Sequence, residues 1–269
     1  THPPTTEISP HVLSSAASDV YKRQILVSGS NMTTPGGVLT LLESSVTDSG
    51  ADKFGGGIAN LGTMTMVDSS VSGNTAGENG GGVFNSFTFT MTASTVSGNT
   101  AALDGGGVRN TGSSLSITNC TVSDNQAGRN GGGASNANIL MMSNSTLSGN
   151  SASADGGGIQ NDSIMTMSGS VIDGACAGMA VASSGYNIES PGDTCSLDQM
   201  SDVSGISASA LGLGPLRDNG GATETHALMG GSAALDRIPP GDCEVDEDQR
   251  GVARPQGDQC DVGAFELEP

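Results

Sequence analysis

Apolar residues return at a fixed interval through the middle of this chain, and between returns they alternate with polar ones. One file of equivalent positions runs Val71, Val96, Val122, Leu147 and Ile172, and a second runs Met64, Phe89, Leu115, Leu140 and Met165. A third is Met66, Met91, Ile117, Met142 and Met167; a fourth is Ile58, Val83, Val108, Ala134 and Ile159; a fifth is Ala76, Ala101, Ala127, Ala152 and Ala177. Single polar residues separate them, as in Met64-Thr65-Met66, which is the pattern of a strand with one buried face and fits no helical period. Glycine triplets set the interval: Gly55 to Gly57, Gly80 to Gly82, Gly105 to Gly107, Gly131 to Gly133 and Gly156 to Gly158, at spacings of 25, 25, 26 and 25 residues. That is the length of one stacked unit. Short parallel strands, each about 4.8 Å above its equivalent in the previous coil, place every file in one continuous interior. The expectation is an all-β chain: a single-stranded right-handed parallel β-helix of about six coils, ~25 residues each, with an irregular C-terminal cap.

Two polar files are as regular as the apolar ones. Asn60, Asn85, Asn110, Asn136 and Asn161 follow each triplet, while Asn74, Asn99, Asn125 and Asn150 close another strand. Asparagine stacked on asparagine lets each amide bond to the next and satisfies backbone groups left unpaired at a corner. Both files therefore read as structural ladders rather than ligands. The triplets supply corners where a side chain would clash or where the backbone needs positive φ.

Composition narrows the partners. A chain with 42 Gly, no Trp and 3% aromatic residues suits a solenoid a few side chains wide better than one large core. A net charge of −19 repels nucleic acid and anionic membranes and suits a solvated extracellular surface. No run of 18 apolar residues is present, so no membrane span is expected. A monomer is expected.

Three segments follow. Residues 1–24 do not share the repeat; Leu13-Ser-Ser-Ala-Ala-Ser-Asp-Val-Tyr-Lys-Arg-Gln24 resembles translated adaptor read-through, so this segment is read as non-native or disordered. The β-helix is assigned to 25–177, with a partial coil starting near Gly36, where Leu39, Leu41 and Val46 align with Met64, Met66 and Val71. From 178 to 269 the period is lost. There Gly185-Tyr-Asn-Ile188, Leu213-Gly-Pro-Leu-Arg-Asp-Asn-Gly-Gly221, Thr225-His-Ala-Leu228, Gly231-Ser-Ala-Ala-Leu-Asp236, Asp248-Gln-Arg-Gly-Val-Ala-Arg-Pro255 and Cys260-Asp-Val-Gly-Ala-Phe-Glu266 follow one another. In order and spacing these segments resemble the C-terminal region of the choice-of-anchor Q domain proteins. The resemblance implies a bacterial parallel β-helix that is secreted or held at the cell surface, with a sorting or anchoring signal at one end and no general reaction. The extracellular or cell-surface location rests on it.

Cysteine placement bears on the same question. Cys120 replaces Ser69, Ser94, Ser145 and Ser170 in a small, inward file, so it reads as a buried unpaired thiol. Cys176 is read as outward in the last coil. Cys176 with Cys195, and Cys243 with Cys260, are the expected disulfides, stapling a cap with little core of its own; four reduced thiols are the alternative. No Cys-x-x-Cys spacing suggests zinc.

Parallel β-helices often carry polysaccharide lyases and glycoside hydrolases, whose chemistry needs clustered carboxylates on an outer face. The outer files run Thr65, Thr90, Ser116, Met141, Thr166; Val67, Thr92, Thr118, Ser143, Ser168; Ser70, Thr95, Thr121, Thr146, Val171; and Ser72, Ser97, Ser123, Ser148, Asp173. Asp173 is the one acid among them, and Arg109 and Arg129 face no acid pair on a strand, which weighs against acid/base chemistry and leaves the catalytic-residue set empty. The file Asn79, Asp104, Asn130 and Asp155 reads as solvated turns, since Asp104 and Asp155 stand two coils, about 10 Å, apart. Calcium is the only cofactor left open, at Asp242, Glu244, Asp246, Glu247 and Asp248, although the run lacks the sixth-position glycine of an EF-hand. His226 is expected as a packed turn residue, and Arg250 and Arg254 as partners of nearby acids. The repeated pair Ser70-Val-Ser72, Thr95-Val-Ser97, Thr121-Val-Ser123 and Thr146-Leu-Ser148 leaves an ice-binding surface as a minor reading. The reading that weighs most is a non-catalytic, adhesin-like or structural surface protein whose partner is an extracellular glycan or surface protein.

Overall fold

The computed structural model describes residues 5–8 and 12–14 as strand backbone, and residues 24–27 and 37–269 in full. Every repeat of the sequence becomes one turn of a right-handed β-solenoid. The turn beginning at Thr63 runs through Thr63–Val67, Ser70–Ser72, Thr75–Ala76 and Val83–Asn85, and the next begins at Thr88–Thr92. Equivalent strands pair in parallel without slippage: Met64 with Phe89, Phe89 with Leu115, Leu115 with Leu140, and Leu140 with Met165. Four sheets result. They are a face of five-residue strands, a face of three-residue strands, a narrow two-residue corner and a triplet face that follows the glycines. Among the described residues complete turns begin at Val38, Thr63, Thr88, Ser114 and Ile139, five rather than the six expected, with partial turns at either end.

Inward residues of the three wider sheets meet in one buried cluster that includes Leu41, Met64, Phe89, Leu115, Val122, Leu147 and Met165, and the corner alanines Ala76, Ala101 and Ala127 are buried as well. Polar ladders close the corners. Asn60 Nδ2 donates to Asn85 Oδ1 at 2.7 Å, and the chain of such bonds continues through Asn110 and Asn136 to Asn161. The second ladder runs from Asn74 through Asn99 and Asn125 to Asn150 at 2.9–3.0 Å. A third uses the small file: the backbone N–H of Ser44, Ser69, Ser94, Cys120 and Ser145 each donates to the side chain one rung on. Cys120 is buried and unpaired.

In a triplet covered by a complete rung the first two glycines have different reasons. The first is left-handed, with Gly105 at φ 69°, where a Cβ is disfavoured. The second is excluded by its neighbour rung: a Cβ on Gly106 would lie 2.5 Å from the backbone of Gln126 and Gly132. Close stacking rather than corner strain therefore demands that residue.

Both ends of the solenoid differ from expectation. Toward the N-terminus, Thr5–Ile8 pairs with Val38–Leu41 and Val12–Ser14 with Ser45–Thr47, so strand pairing starts inside the segment read as foreign to the repeat. A strand edge offers its free backbone groups to any extended segment, whatever its side-chain period. Most of the adaptor-like stretch, residues 15–23, lies outside the described residues. Toward the C-terminus the stack continues past 177. The chain leaves Asp173, skips the two-residue corner and the triplet, and places Cys176 on Ile159 and Ala177 on Gln160. Ala177 is thus not in the alanine file, and Cys176 points inward, at 8% exposure. Ala182–Ser183 and Ile188–Ser190 then add to the five- and three-residue faces.

The remainder is only partly a cap. Cys195 and Leu197 cover the end of the core, and a disulfide joins Cys195 to Cys176 with S–S 2.02 Å. After a short helix, Ala208–Leu211, capped by Ser207, the chain turns back along the side of the solenoid. Leu213–Arg217 and Thr225–Leu228 form an antiparallel pair. With Ile238, Val262, Phe265 and a second disulfide, Cys243–Cys260, they build a separate core against the outward side chain of Val171.

Candidate binding surfaces

This flank lies on the three-residue face and occupies the hydroxyl pairs read as open. Thr95 and Thr121 are buried, Thr121 at 0% exposure, and Ser97, Ser123, Thr146 and Ser148 are buried with them. Gln249 joins two rungs: Thr121 Oγ1 donates to its Oε1 at 2.7 Å, and its Nε2 donates to Thr95 Oγ1 at 2.9 Å. Ser123 Oγ lies 2.8 Å from His226 Nε2, while Ala264 N donates to Thr146 Oγ1 at 3.0 Å. His226 is therefore a buried strand residue, and its Nδ1 sits 2.7 Å from Gly214 O. Repeated hydroxyls at strand spacing serve as docking points for the chain's own C-terminal region, so neither ice nor a glycan can lie on that part of the face. Asp173, the lone carboxylate of these files, accepts from Ser148 Oγ at 2.9 Å.

The five-residue face is open except at Ser168 on its last rung, which the flank engages through Glu244. Its outward positions form three files across five rungs: Thr63, Thr88, Ser114, Ile139, Ile164; Thr65, Thr90, Ser116, Met141, Thr166; and Val67, Thr92, Thr118, Ser143, Ser168. All are half-buried or exposed, and none is charged. Regular stacking makes this a hydroxyl and methyl lattice with rungs about 4.8 Å apart.

On the triplet face the outward file is Ala59, Phe84, Arg109, Ser135 and Gln160, which the sequence reading did not single out. Phe84 stacks on Phe54 with ring centroids 4.8 Å apart. The signal lay in the sequence, because Phe84 is an aromatic at a file position otherwise small or polar. Nearby, Asp104 is 5% exposed rather than a solvated turn residue, and Arg129 binds it in a two-point contact across one rung, with Nε to Oδ1 at 2.8 Å. Burial alone would raise the Asp104 carboxyl. The Arg129 hydrogen bonds and charge, with Arg109, instead hold it below the usual carboxylate range.

The C-terminal acids do not converge. Asp242 accepts from Tyr186 OH at 2.7 Å, and Glu244 accepts from Ser168 Oγ at 2.9 Å. Asp248 is buried and accepts from Arg250 Nε and from the Glu266 backbone N–H. No group of three or more acidic, histidine or cysteine side chains converges on a cation site among the described residues. Asp248, Arg250, Arg254, Asp261 and Glu266 instead lace the flank together. Arg254 donates to the carbonyls of Asp261 and Gly263, and Glu266 accepts from the N–H groups of Gln256 and Asp261. Burial pushes Glu266 and Asp261 up and Arg254 down, so desolvation outweighs the attraction between Arg254 and Glu266 at 3.5 Å. These residues of the Asp-Gln-Arg-Gly and Cys-Asp-Val-Gly-Ala-Phe-Glu segments are thus an internal latch.

The architecture is that of a parallel β-solenoid with a side-docked C-terminal flank. No family model, no curated protein and no solved structure matches this chain. Among the described residues no helix is long and apolar enough to cross a membrane.

Proposed function

We propose that this chain is a secreted or cell-surface β-solenoid of the choice-of-anchor Q kind, acting without catalysis as an adhesin-like or structural stalk that engages an extracellular glycan. The carrying observation is the open five-residue face, whose fourteen outward positions from Thr63 to Thr166, Ser168 apart, hold hydroxyl, thioether and aliphatic groups and no charge. Hydroxyl donors and acceptors interleaved with methyls suit the mixed polar and apolar surface of a polysaccharide, and nothing on that face can donate and withdraw a proton at a glycosidic bond. Two disulfides favour an oxidising compartment. A net charge of −19 favours a neutral glycan over an acidic one. A glycan array and a pull-down on insoluble polysaccharides test the reading. Retention on neutral glycans, weakened by Thr90→Asp and Ser116→Asp together, is expected. Release of unsaturated or reducing ends from any substrate, or no retention on any glycan, would sink it.

A further inference from the structure

Between the flank and the last rungs of the solenoid lies a cavity of about 430 Å³, on the scale of small-molecule sites. Asn144, Ser168 and Ser184 line it from the solenoid side, Tyr186 and Asp242 from either side of their hydrogen bond, and Glu244 from the flank. Asn144 is 1% exposed, and its Oδ1 has no hydrogen-bond partner. A buried amide oxygen left unpaired is expensive and marks a place where something else supplies a donor. The corner itself does not require the carboxamide. Ala93 and Gly169 occupy the same file in the same left-handed conformation, at φ 46° and 51° against 45° for Asn144. One rung away Asn119 also leaves its Oδ1 unpaired but spends its Nδ2 on the Glu247 carbonyl, holding the flank, whereas Asn144 makes no such bond and lines the cavity instead.

The other polar groups point the same way. Asp242 uses Oδ2 for Tyr186 and Glu244 uses Oε2 for Ser168, which leaves the second oxygen of each carboxylate unengaged. Among the described residues no Lys, Arg or His lines the cavity, and Ile238 gives it an apolar wall. Such a site has no cationic donor, repels anions and offers an aromatic ring in Tyr186. Its occupant must bring several hydroxyl donors, an apolar face and no negative charge. We propose that this cavity binds one non-anionic sugar unit, whose hydroxyls donate to Asp242, Glu244 and Asn144. The inference rests on the glycan-binding reading and gives it a second, selective contact distinct from the open face.

The test is an NMR titration of the whole chain with glucose, galactose, mannose and N-acetylglucosamine, with glucuronate and calcium as contrasting arms. At least one neutral sugar should shift the Gly169, Tyr186 and Gly241 amides at millimolar concentration, and glucuronate should not. Asn144→Gly, which adopts the backbone that Gly169 already shows in that file, and Glu244→Ala should each weaken binding about tenfold while the amide shifts away from the cavity keep their native positions. Silence of these amides toward every neutral sugar, unchanged affinity in both variants, or a response to calcium in place of sugar would overturn the assignment. If the array still shows glycan retention in any of those cases, the cavity fails while the open face stands; if retention is also absent, both fail.

Discussion

At the residue scale, the middle glycine of a triplet is required by the rung above it and by nothing in its own backbone. Gly106 has no space for a Cβ because Gly132 lies over it, whereas Gly157 faces the shortened last turn and a Cβ there would meet nothing nearer than 3.4 Å. Gly106→Ala should therefore destabilise by about 1–3 kcal/mol, the usual range for forcing atoms into a packed site. Gly157→Ala should change little, and equal losses in thermal denaturation would refute the stacking account. Cys120 makes a second case. Burial pushes its thiol up to about 12 from the 9.0 of an unperturbed thiol, so the native chain keeps a proton that the unfolded chain gives up. Stability from this group is intact below pH 9.0 and declines as pH climbs toward 12. Iodoacetamide should leave Cys120 unmodified in the folded protein, and Cys120→Ser, matching Ser94 and Ser145 in its file, should flatten the alkaline decline. Rapid native alkylation would contradict the burial.

At the element scale, what matters is which outward strand positions are covered, and here sequence and structure part. Thr121→Ala should cost about 1–3 kcal/mol, since it leaves the Gln249 carbonyl oxygen buried without a donor. Thr63→Ala, on the open face, should stay within about 0.5 kcal/mol. Comparable losses in urea denaturation would mean the flank is not docked as described. Periodicity made the inward files, both asparagine ladders and the inward Cys120 legible, because a rung repeats its neighbours and any constant position announces its environment. The same regularity could not show that the flank covers Thr95, Thr121 and Thr146. Serine and threonine are ordinary on exposed strands and equally good as hydrogen-bond partners under a covering segment, and the flank has no period from which to read its register. The misplacement of Cys176 and Ala177 has a related cause: counting 25 residues forward carries past a turn that has dropped its corner and its triplet. The seam cavity was illegible for a third reason, since Asn144 meets Asp242 and Glu244 only through docking of segments about a hundred residues apart.

At the scale of the whole molecule, a solenoid is nearly one-dimensional, each rung touching only the next, so its stability is a sum of rung and interface contributions that can fail locally. The flank alters that arithmetic. It reaches Thr95 through the Glu224 carbonyl, Thr121 through Gln249, Thr146 through Ala264 and Gly169 through Gly263, binding four successive rungs to one body. Ser70 and Ser72, one rung earlier, are only half-buried, and Ser70 Oγ pairs with Ser45 Oγ within the solenoid. Opening any of the four rungs thus breaks bonds to the flank and disturbs the other three, whereas the rungs holding Val46 and Val71 open against their solenoid neighbours alone. Hydrogen exchange under native conditions should report one shared opening free energy for the amides of Val96, Val122, Leu147 and the flank residue Val262, and a lower one for Val46 and Val71. Gln249→Ala, which removes one tie between the rungs of Thr95 and Thr121 but leaves the Thr95 bond to the Glu224 carbonyl, should lower Val96 part of the way toward the value of Val71 while leaving Val71 unchanged. A smooth gradient along the axis that ignores the flank, or a fall in Val71 as large as that in Val96, would show that the solenoid carries its own cooperativity and that the C-terminal region merely rests on it.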